Sequence, residues 1–321
     1  MATIRIPDKV PSPDKDCKNL EEAFGVWRTD TKEIIRILGC RNGSQRKKIR
    51  DIYQHLYNKS LTDTLKSKLP HDYLVFSDFK NAVIMWTMDP SERDAKLANK
   101  SLRKGFDHLQ VIIEIACAST PEHLMAVRQA YCSLFNCSLE EDITSNVSFL
   151  PLRKLLLCLV SSYRYDRELV DSNLAHSESA VLHDAIEKEF YHDELVFMLS
   201  TRNKYQLKAT FECYKQNYGN SIYQDIESSG TGNFKSILRL AILCIDTPEK
   251  HFAEVVRNAI VGLGTDEDSL TRAIVTRAEI DMMKIRAEYF NTYKSNLDKA
   301  VIGDTSGDYK DFLVTLLGGK I

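Results

Sequence analysis

Apolar and polar positions along this chain recur mostly at spacings of three and four, and one such stretch appears four times. It reads Ile49-Arg50-x-x-Tyr53-x-x-x-Tyr57-x-x-x-Leu61, then Val127-Arg128-x-x-Tyr131-x-x-x-Phe135-x-x-x-Leu139. It returns as Tyr214-x-x-x-Tyr218-x-x-x-Ile222 and as Ile285-Arg286-x-x-Tyr289-x-x-x-Tyr293-x-x-x-Leu297. Residues three and four apart share one helix face, so each stretch predicts an amphipathic helix, its aromatics belonging to a core rather than to a base-stacking platform. The anchor tyrosines lie roughly 79 residues apart, which makes the chain an array of four similar units and places function in what differs between them.

Boundaries follow from helix punctuation. Asp89-Pro90-Ser91-Glu92 and Thr247-Pro248-Glu249 each join a helix-ending proline to a fresh start. A tail over 1–13 and units over 14–85, 86–165, 166–246 and 247–321 are expected, with a two-plus-two division at the polar stretch Ser172 to Ser179. With 43% apolar and 27% charged residues the chain can build a sizeable core, and 13 glycines and 8 prolines in 321 residues are too few for a turn-rich β protein. The expected class is all-α.

A formal charge of -2 gives no overall attraction to nucleic acid, so an anionic partner must be drawn locally. The start is polar, with Pro7, Pro11 and Pro13 and no apolar signal core, and no run of about 18 apolar residues exists. A soluble, cytoplasmic protein is expected. The eight cysteines form no CxxC pair, which argues against a zinc site or a disulfide framework.

The fourth unit holds the distinctive chemistry. A helix reads from His251 to Val261, breaks at Gly262-Leu263-Gly264 and restarts at Thr265, with Thr265-x-x-Asp268 as a capping-box-like start. A second helix pair is read from Ile280 to Lys299, followed by a loop Gly303-Asp304-Thr305-Ser306-Gly307-Asp308 and an apolar helix Tyr309 to Leu317. Calcium takes six to eight hard oxygen ligands, and a tightly curled backbone can converge carbonyls on it. Carbonyls of Ile260, Gly262 and Gly264 with a bidentate Asp304 leave about one or two positions for water or an external oxygen. The plain alternative is a helix stop followed by a capped start. The run is no EF-hand, since it has no DxDxDG with a distal Glu.

Ile260-Val-Gly-Leu-Gly-Thr-Asp-Glu267, followed by Gly303-Asp-Thr-Ser-Gly-Asp-Tyr309, resembles the annexin repeat, and Trp86-Thr-Met-Asp-Pro-Ser-Glu-Arg-Asp-Ala95 is similar to plant annexins in particular. The resemblance runs from about Asp14 to Ile321. It implies four five-helix repeats in a curved disc whose convex face carries calcium loops and docks on anionic phospholipid, peripherally and on the cytosolic side. It also lets each copy be checked against the calcium motif. In copy one Val26 and Arg28 replace the glycines and Lys68 the acid. In copy two Lys104, Phe106 and Asn146 stand there, and in copy three Glu189, Tyr191 and Ser229. Only copy four keeps the ligand set Ile260, Gly262, Gly264 and Asp304.

One intact site forgoes the avidity of several, so more calcium or another attraction is expected. Arg28, Lys66 and Lys68 could meet lipid phosphate directly, with Trp27 at headgroup level; the competing reading makes them ordinary surface residues. The resemblance also implies a peroxidase-linked histidine in the segment Ile37 to Asn42, but Cys40 stands in that place, so no enzyme is expected. Cys117 and Cys244 match a possible redox pair, although both lie in apolar helical runs that suit core thiols. Asp304-x-x-Gly307 has no phosphate loop to accompany it, and His71-Asp72 and His192-Asp193 read as surface loops. A cytoskeletal protein partner and ion conduction are further suggestions of the family, and the sequence leaves oligomeric state open. The competing class is a helical-repeat scaffold for protein partners with a vestigial loop.

Overall fold

The three-and-four spacing is realised as helix throughout the computed structural model, which describes residues 1–25, 29–69, 75–187, 193–229, 232–262 and 264–319, the side chains of 75–77 and 187 aside. Among the described residues there are twenty α-helices, one 3-10 turn at Phe106–His108 and no strand. The first copy holds α1 (Pro13–Ala23), α2 (Thr31–Leu38), α3 (Gly43–Tyr57), α4 (Leu61–Lys68) and α5 (Val75–Thr87). The second holds α6 (Pro90–Lys104), α7 (Gln110–Ala118), α8 (Pro121–Phe135), α9 (Leu139–Asn146) and α10 (Leu150–Ser161). The third holds α11 (Ser172–Glu187), α12 (Asp193–Thr201), α13 (Lys204–Tyr218), α14 (Ile222–Ser228) and α15 (Asn233–Asp246). The fourth holds α16 (Pro248–Ile260), α17 (Glu267–Arg277), α18 (Met282–Tyr293), α19 (Leu297–Asp304) and α20 (Gly307–Leu316).

The same punctuation recurs in each copy. The third helix ends on a left-handed residue, Asn58, Asn136, Gly219 or Lys294, and the fourth restarts on Ser60, Ser138, Ser221 or Asn296. Polar side chains at those restarts satisfy N–H groups that a first turn leaves orphaned. The anchor tyrosines 53, 131, 214 and 289 are all fully buried, and each tilts against the aromatic one turn later at 4.8 to 5.0 Å between ring centroids. They are core, as their spacing predicts. Tyr53 donates to Glu21, Tyr131 to Asp142 and Tyr214 to Asp225, whereas the buried Tyr289 hydroxyl has no hydrogen-bond partner among the described residues. Ala300 stands where Asp142 and Asp225 stand in their copies.

Two compact units result, one formed by Met1–Pro90 with Phe252–Ile321 and the other by Ser91–His251. The expected division at Ser172 to Ser179 is therefore overturned: those residues open α11, and Ala175, Glu178 and Ser179 are buried. The buried polar groups are satisfied by neighbours, with Arg202, just after α12, donating to Glu178 at 2.6 Å and Asn217 of α13 to the Ser179 hydroxyl at 3.1 Å. In the first unit Phe79 meets Phe312 edge-on at 6.1 Å. Trp86, 1% exposed, donates to the Leu38 carbonyl at 2.8 Å beneath the Arg46 guanidinium. The N-terminal segment is stitched to the same unit: Thr3 donates its N–H to the Ala278 carbonyl and its hydroxyl to that of Leu316, and the Met283 N–H donates to the Met1 carbonyl.

Candidate functional site

Helix α16 stops at Ile260 because Gly262 (φ 144°) and Gly264 (φ 90°) enter backbone regions that side chains disfavour. A Cβ at either would meet nothing within 4 Å, so the glycines are needed for backbone conformation and not for room. The turn closes where the Asp266 N–H donates to the Ala259 carbonyl at 2.8 Å. Asp266 then caps α17, accepting from the Ser269 N–H at 3.1 Å. The start expected at Thr265 moves on by one residue. Adjacent Thr and Asp can both cap, and here the threonine is engaged elsewhere.

Thr265 donates its hydroxyl to the Asp304 carboxylate at 2.6 Å and lies 3.1 Å from the Asp304 carbonyl. That contact brings the glycine turn and the remote acid together. Asp304 is the last residue of α19, not a loop residue as expected: the helix runs through Gly303, and Thr305 and Ser306 form the connection. Tyr309 fastens the two sides from below, 2.8 Å from the Thr271 hydroxyl and donating to the Glu267 carbonyl at 3.3 Å.

The electrostatics favour a cation here. A carboxylate at a helix C-terminus faces the negative end of the helix dipole and costs about 0.3 to 1 kcal/mol without a counter-charge. Asp304 is exposed, and none of the hydrogen bonds among the described residues ends on the carbonyls of Ile260, Gly262 or Gly264. Those hard oxygen donors fit a divalent ion of the calcium type. No group of three or more His, Cys, Asp or Glu side chains converges as a metal site among the described residues. A set supplied mainly by backbone oxygens needs no such group.

Copy one keeps the frame without the acid. Asp30 donates its N–H to the Ala23 carbonyl at 2.7 Å and caps α2 through the Glu33 N–H, and Thr29 donates to the Lys68 carbonyl at 2.9 Å. The Lys68 ammonium stands where Asp304 stands in copy four. It is exposed and makes no ion pair among the described residues, while Lys66 pairs with Asp63 at 2.7 Å. Val26, Trp27 and Arg28 lie outside the described residues.

In copy two the carbonyls are used within the turn itself: those of Gly105 and Phe106 accept from His108 and Leu109, and that of His108 accepts from Ser101. The Asn146 amide donates to the Asp142 carbonyl at 2.8 Å. In copy three Glu189, Tyr191 and His192 lie outside the described residues, as do His71 and Asp72 in copy one. The Ser229 hydroxyl donates to the Ile226 carbonyl at 2.8 Å. A basic side chain from the following helix reaches the end of the short fourth helix in each of these copies. Lys80 reaches the Leu69 carbonyl, Arg153 that of Thr144 and Lys235 that of Ser229. Sequence reasoning missed both these cations and the threonine link, although Thr-Asp recurs at 29–30 and 265–266.

All eight cysteines are free thiols. Cys117 and Cys244 are buried on α7 and α15, two helices that pack together, and burial pushes the Cys117 thiol pKa up against the pull of Arg164. Cys40 is half-buried, and desolvation raises its thiol pKa despite Arg41 and Arg36. No described helix is long and apolar enough to cross a membrane.

The family model described as Annexin matches residues 15–74, 93–158, 177–241 and 251–316. Annexin D3 of Arabidopsis thaliana is 54% identical, with 100% of each chain covered. Among solved structures, one titled annexin III superposes with a TM-score of 0.89 at 32% identity, covering 100% of this chain and 98% of that one. One titled calcium-bound annexin (Sm)1 reaches 0.84 at 26%, covering 100% and 94%.

Proposed function

The chain belongs to the annexin family, in its plant branch, and we propose on that premise that its fourth repeat is the calcium site of a peripheral phospholipid-binding protein. Calcium-dependent binding to membrane phospholipid is the general property of the family, which is not one of enzymes. The finer reading concerns residues. Calcium is held by the carbonyls of Ile260, Gly262 and Gly264 and by both oxygens of Asp304, with the remaining coordination open to water or a lipid phosphate oxygen.

The observation that carries this reading is the Thr265–Asp304 hydrogen bond, which joins the glycine turn to the carboxylate from another helix. Bound calcium would also relieve the unfavourable charge at the end of α19. Repeats one to three lack the ligands, so the calcium requirement is that of a single contact. Lys66 and Lys68, with Trp27 and Arg28, add a calcium-independent contribution from repeat one, each cation near an anionic surface giving about 1 kcal/mol. Cys40 in place of a histidine argues against peroxidase chemistry, and buried Cys117 and Cys244 suit a core better than a redox pair. The membrane engaged is the cytosolic face, the partners are anionic phospholipid and, secondarily, a cytoskeletal protein, and nucleic acid is not among them.

Sedimentation with phosphatidylserine vesicles tests this, with calcium and with chelator, for the parent and Asp304→Ala. The parent is expected to pellet with calcium, and the variant to need far more of it. A variant that pellets like the parent at every calcium level removes the site assignment, and a parent that never pellets leaves a helical scaffold with a vestigial loop.

A further inference from the structure

We propose that the turn between α9 and α10 in repeat two is a calcium-independent contact for an anionic lipid bilayer, entered by Phe149 and Leu150; the proposal rests on the membrane reading above. The turn occupies in its own repeat the position that the Asp304 turn occupies in the fourth. After the fourth helix, repeat four continues Thr305-Ser306-Gly307-Asp308, whereas repeat two continues Val147-Ser148-Phe149-Leu150. An aromatic and a leucine have replaced a glycine and an acid.

Both side chains point outward, Phe149 being 45% and Leu150 64% exposed, while Val147 beside them is buried. They are held in place. Phe149 is the N-cap of α10, its carbonyl accepts the Arg153 N–H at 2.9 Å, and its ring meets that of Phe234 edge-on at 6.5 Å. A pinned apolar pair at a loop tip is already ordered before it enters an interface, so little rotamer freedom is lost on contact.

The surrounding charge selects an anionic surface. From Ile143 to Ser162 there is no acid, and from Ser228 to Ile245, the segment that holds Phe234, there is none either. The basic residues in these segments are Arg153, Lys154, Lys235 and Arg239. Lys154 is paired to Asp193 at 2.5 Å, but the Arg153 and Lys235 head groups lie on the Thr144 and Ser229 carbonyls at the ends of the two short helices. A tethered cation thus stands at the helix end where repeat four presents Asp304 and, beyond it, Asp308 and Asp311. An apolar tip flanked by two basic segments that carry no acid, with Asp193 neutralised by Lys154, matches the headgroup and acyl boundary of an anionic leaflet.

The test compares parent, Leu150→Ser, the double variant Phe149→Ser/Leu150→Ser and Asp304→Ala. Each is sedimented with phosphatidylserine–phosphatidylcholine vesicles and with phosphatidylcholine vesicles, in chelator and in calcium. In chelator the double variant is expected to lose roughly tenfold in partitioning onto the acidic vesicles, Leu150→Ser less, and Asp304→Ala none. With calcium, the double variant should still pellet. Emission from a Leu150→Trp variant, read against the parent's two tryptophans, should shift to the blue and be quenched by brominated acyl chains in chelator. Partitioning in chelator that ignores both serine variants, no partitioning in chelator at all, or emission from the Leu150→Trp variant that stays unmoved on vesicles overturns the proposal while leaving the calcium site intact. Absence of pelleting in every condition removes the membrane reading itself. Leu150→Ser changes one exposed side chain, so it keeps the test valid if losing the Phe149–Phe234 contact disturbs folding.

Discussion

Removing the Asp304 carboxylate should weaken calcium binding by an amount the site's exposure sets. A double and a single charge at a Ca–O distance near 2.4 Å attract by about 3 kcal/mol in a water-like dielectric, the appropriate limit for an exposed side chain. A water molecule filling the place in Asp304→Ala returns part of this, leaving a net loss of about 2 kcal/mol, or roughly thirtyfold in calcium concentration. Scanning calorimetry reads the effect without any membrane. At calcium about one hundred times the parent's dissociation constant, binding stabilises the folded unit by about 2.7 kcal/mol, and the variant at the same calcium by about 0.9 kcal/mol. The unit carrying the site has about 160 residues, for which 1 kcal/mol moves the melting point by about 3 °C. Calcium should therefore raise that transition by about 8 °C in the parent and about 3 °C in the variant. A variant whose transition climbs with calcium as steeply as the parent's refutes the ligand assignment.

Two further outcomes are expected. Tyr131→Phe, which removes a hydrogen bond to Asp142 and one from Asn99, should cost about 1 to 3 kcal/mol in denaturant unfolding, whereas Tyr289→Phe should be neutral within about 0.5 kcal/mol or stabilising, because its hydroxyl is buried without a partner among the described residues. Equal costs would contradict that reasoning. Maleimide labelling of the native protein should find exposed Cys132 but spare Cys17, whose thiol pKa is pushed up to about 12 by burial and by Asp14 and Asp16, and spare Cys117 and Cys244 until unfolding. A disulfide between Cys117 and Cys244 formed by mild peroxide in the folded protein would overturn the view of both as inert core thiols.

The parts of the fold that are legible are those written at helical spacing. Tyr53, Tyr131, Tyr214 and Tyr289 announce their burial because each is followed by an aromatic four residues on, and the prolines 90 and 248 mark helix starts correctly. Long-range pairing is not written locally. Ser172 to Ser179 looks like a linker by polarity, yet its side chains bond within α11 and across to α12 and α13, and the first and last stretches of the chain pack as one unit. At the candidate site the glycine turn is legible from conformational demand. The cap moves from Thr265 to Asp266 because a hydroxyl can serve either the helix start or a carboxylate about forty residues away, and only the folded chain decides between them. The same limit hides the cations that fold back on the helix ends.

The unit that holds the Gly262–Gly264 turn is assembled from the first and last stretches of this sequence, and synthesis imposes an order on that assembly. Residues 91–251 emerge as one contiguous stretch and can complete their core at once. Residues 1–90 emerge earlier but must wait for 252–321, a delay of roughly 10 to 45 seconds at about 5 to 20 residues per second. During that interval Phe79 lacks Phe312, and Thr3 lacks the carbonyls of Ala278 and Leu316. The nascent N-terminal quarter thus exposes apolar surface through that interval, and the Gly262–Gly264 turn is among the last features to form.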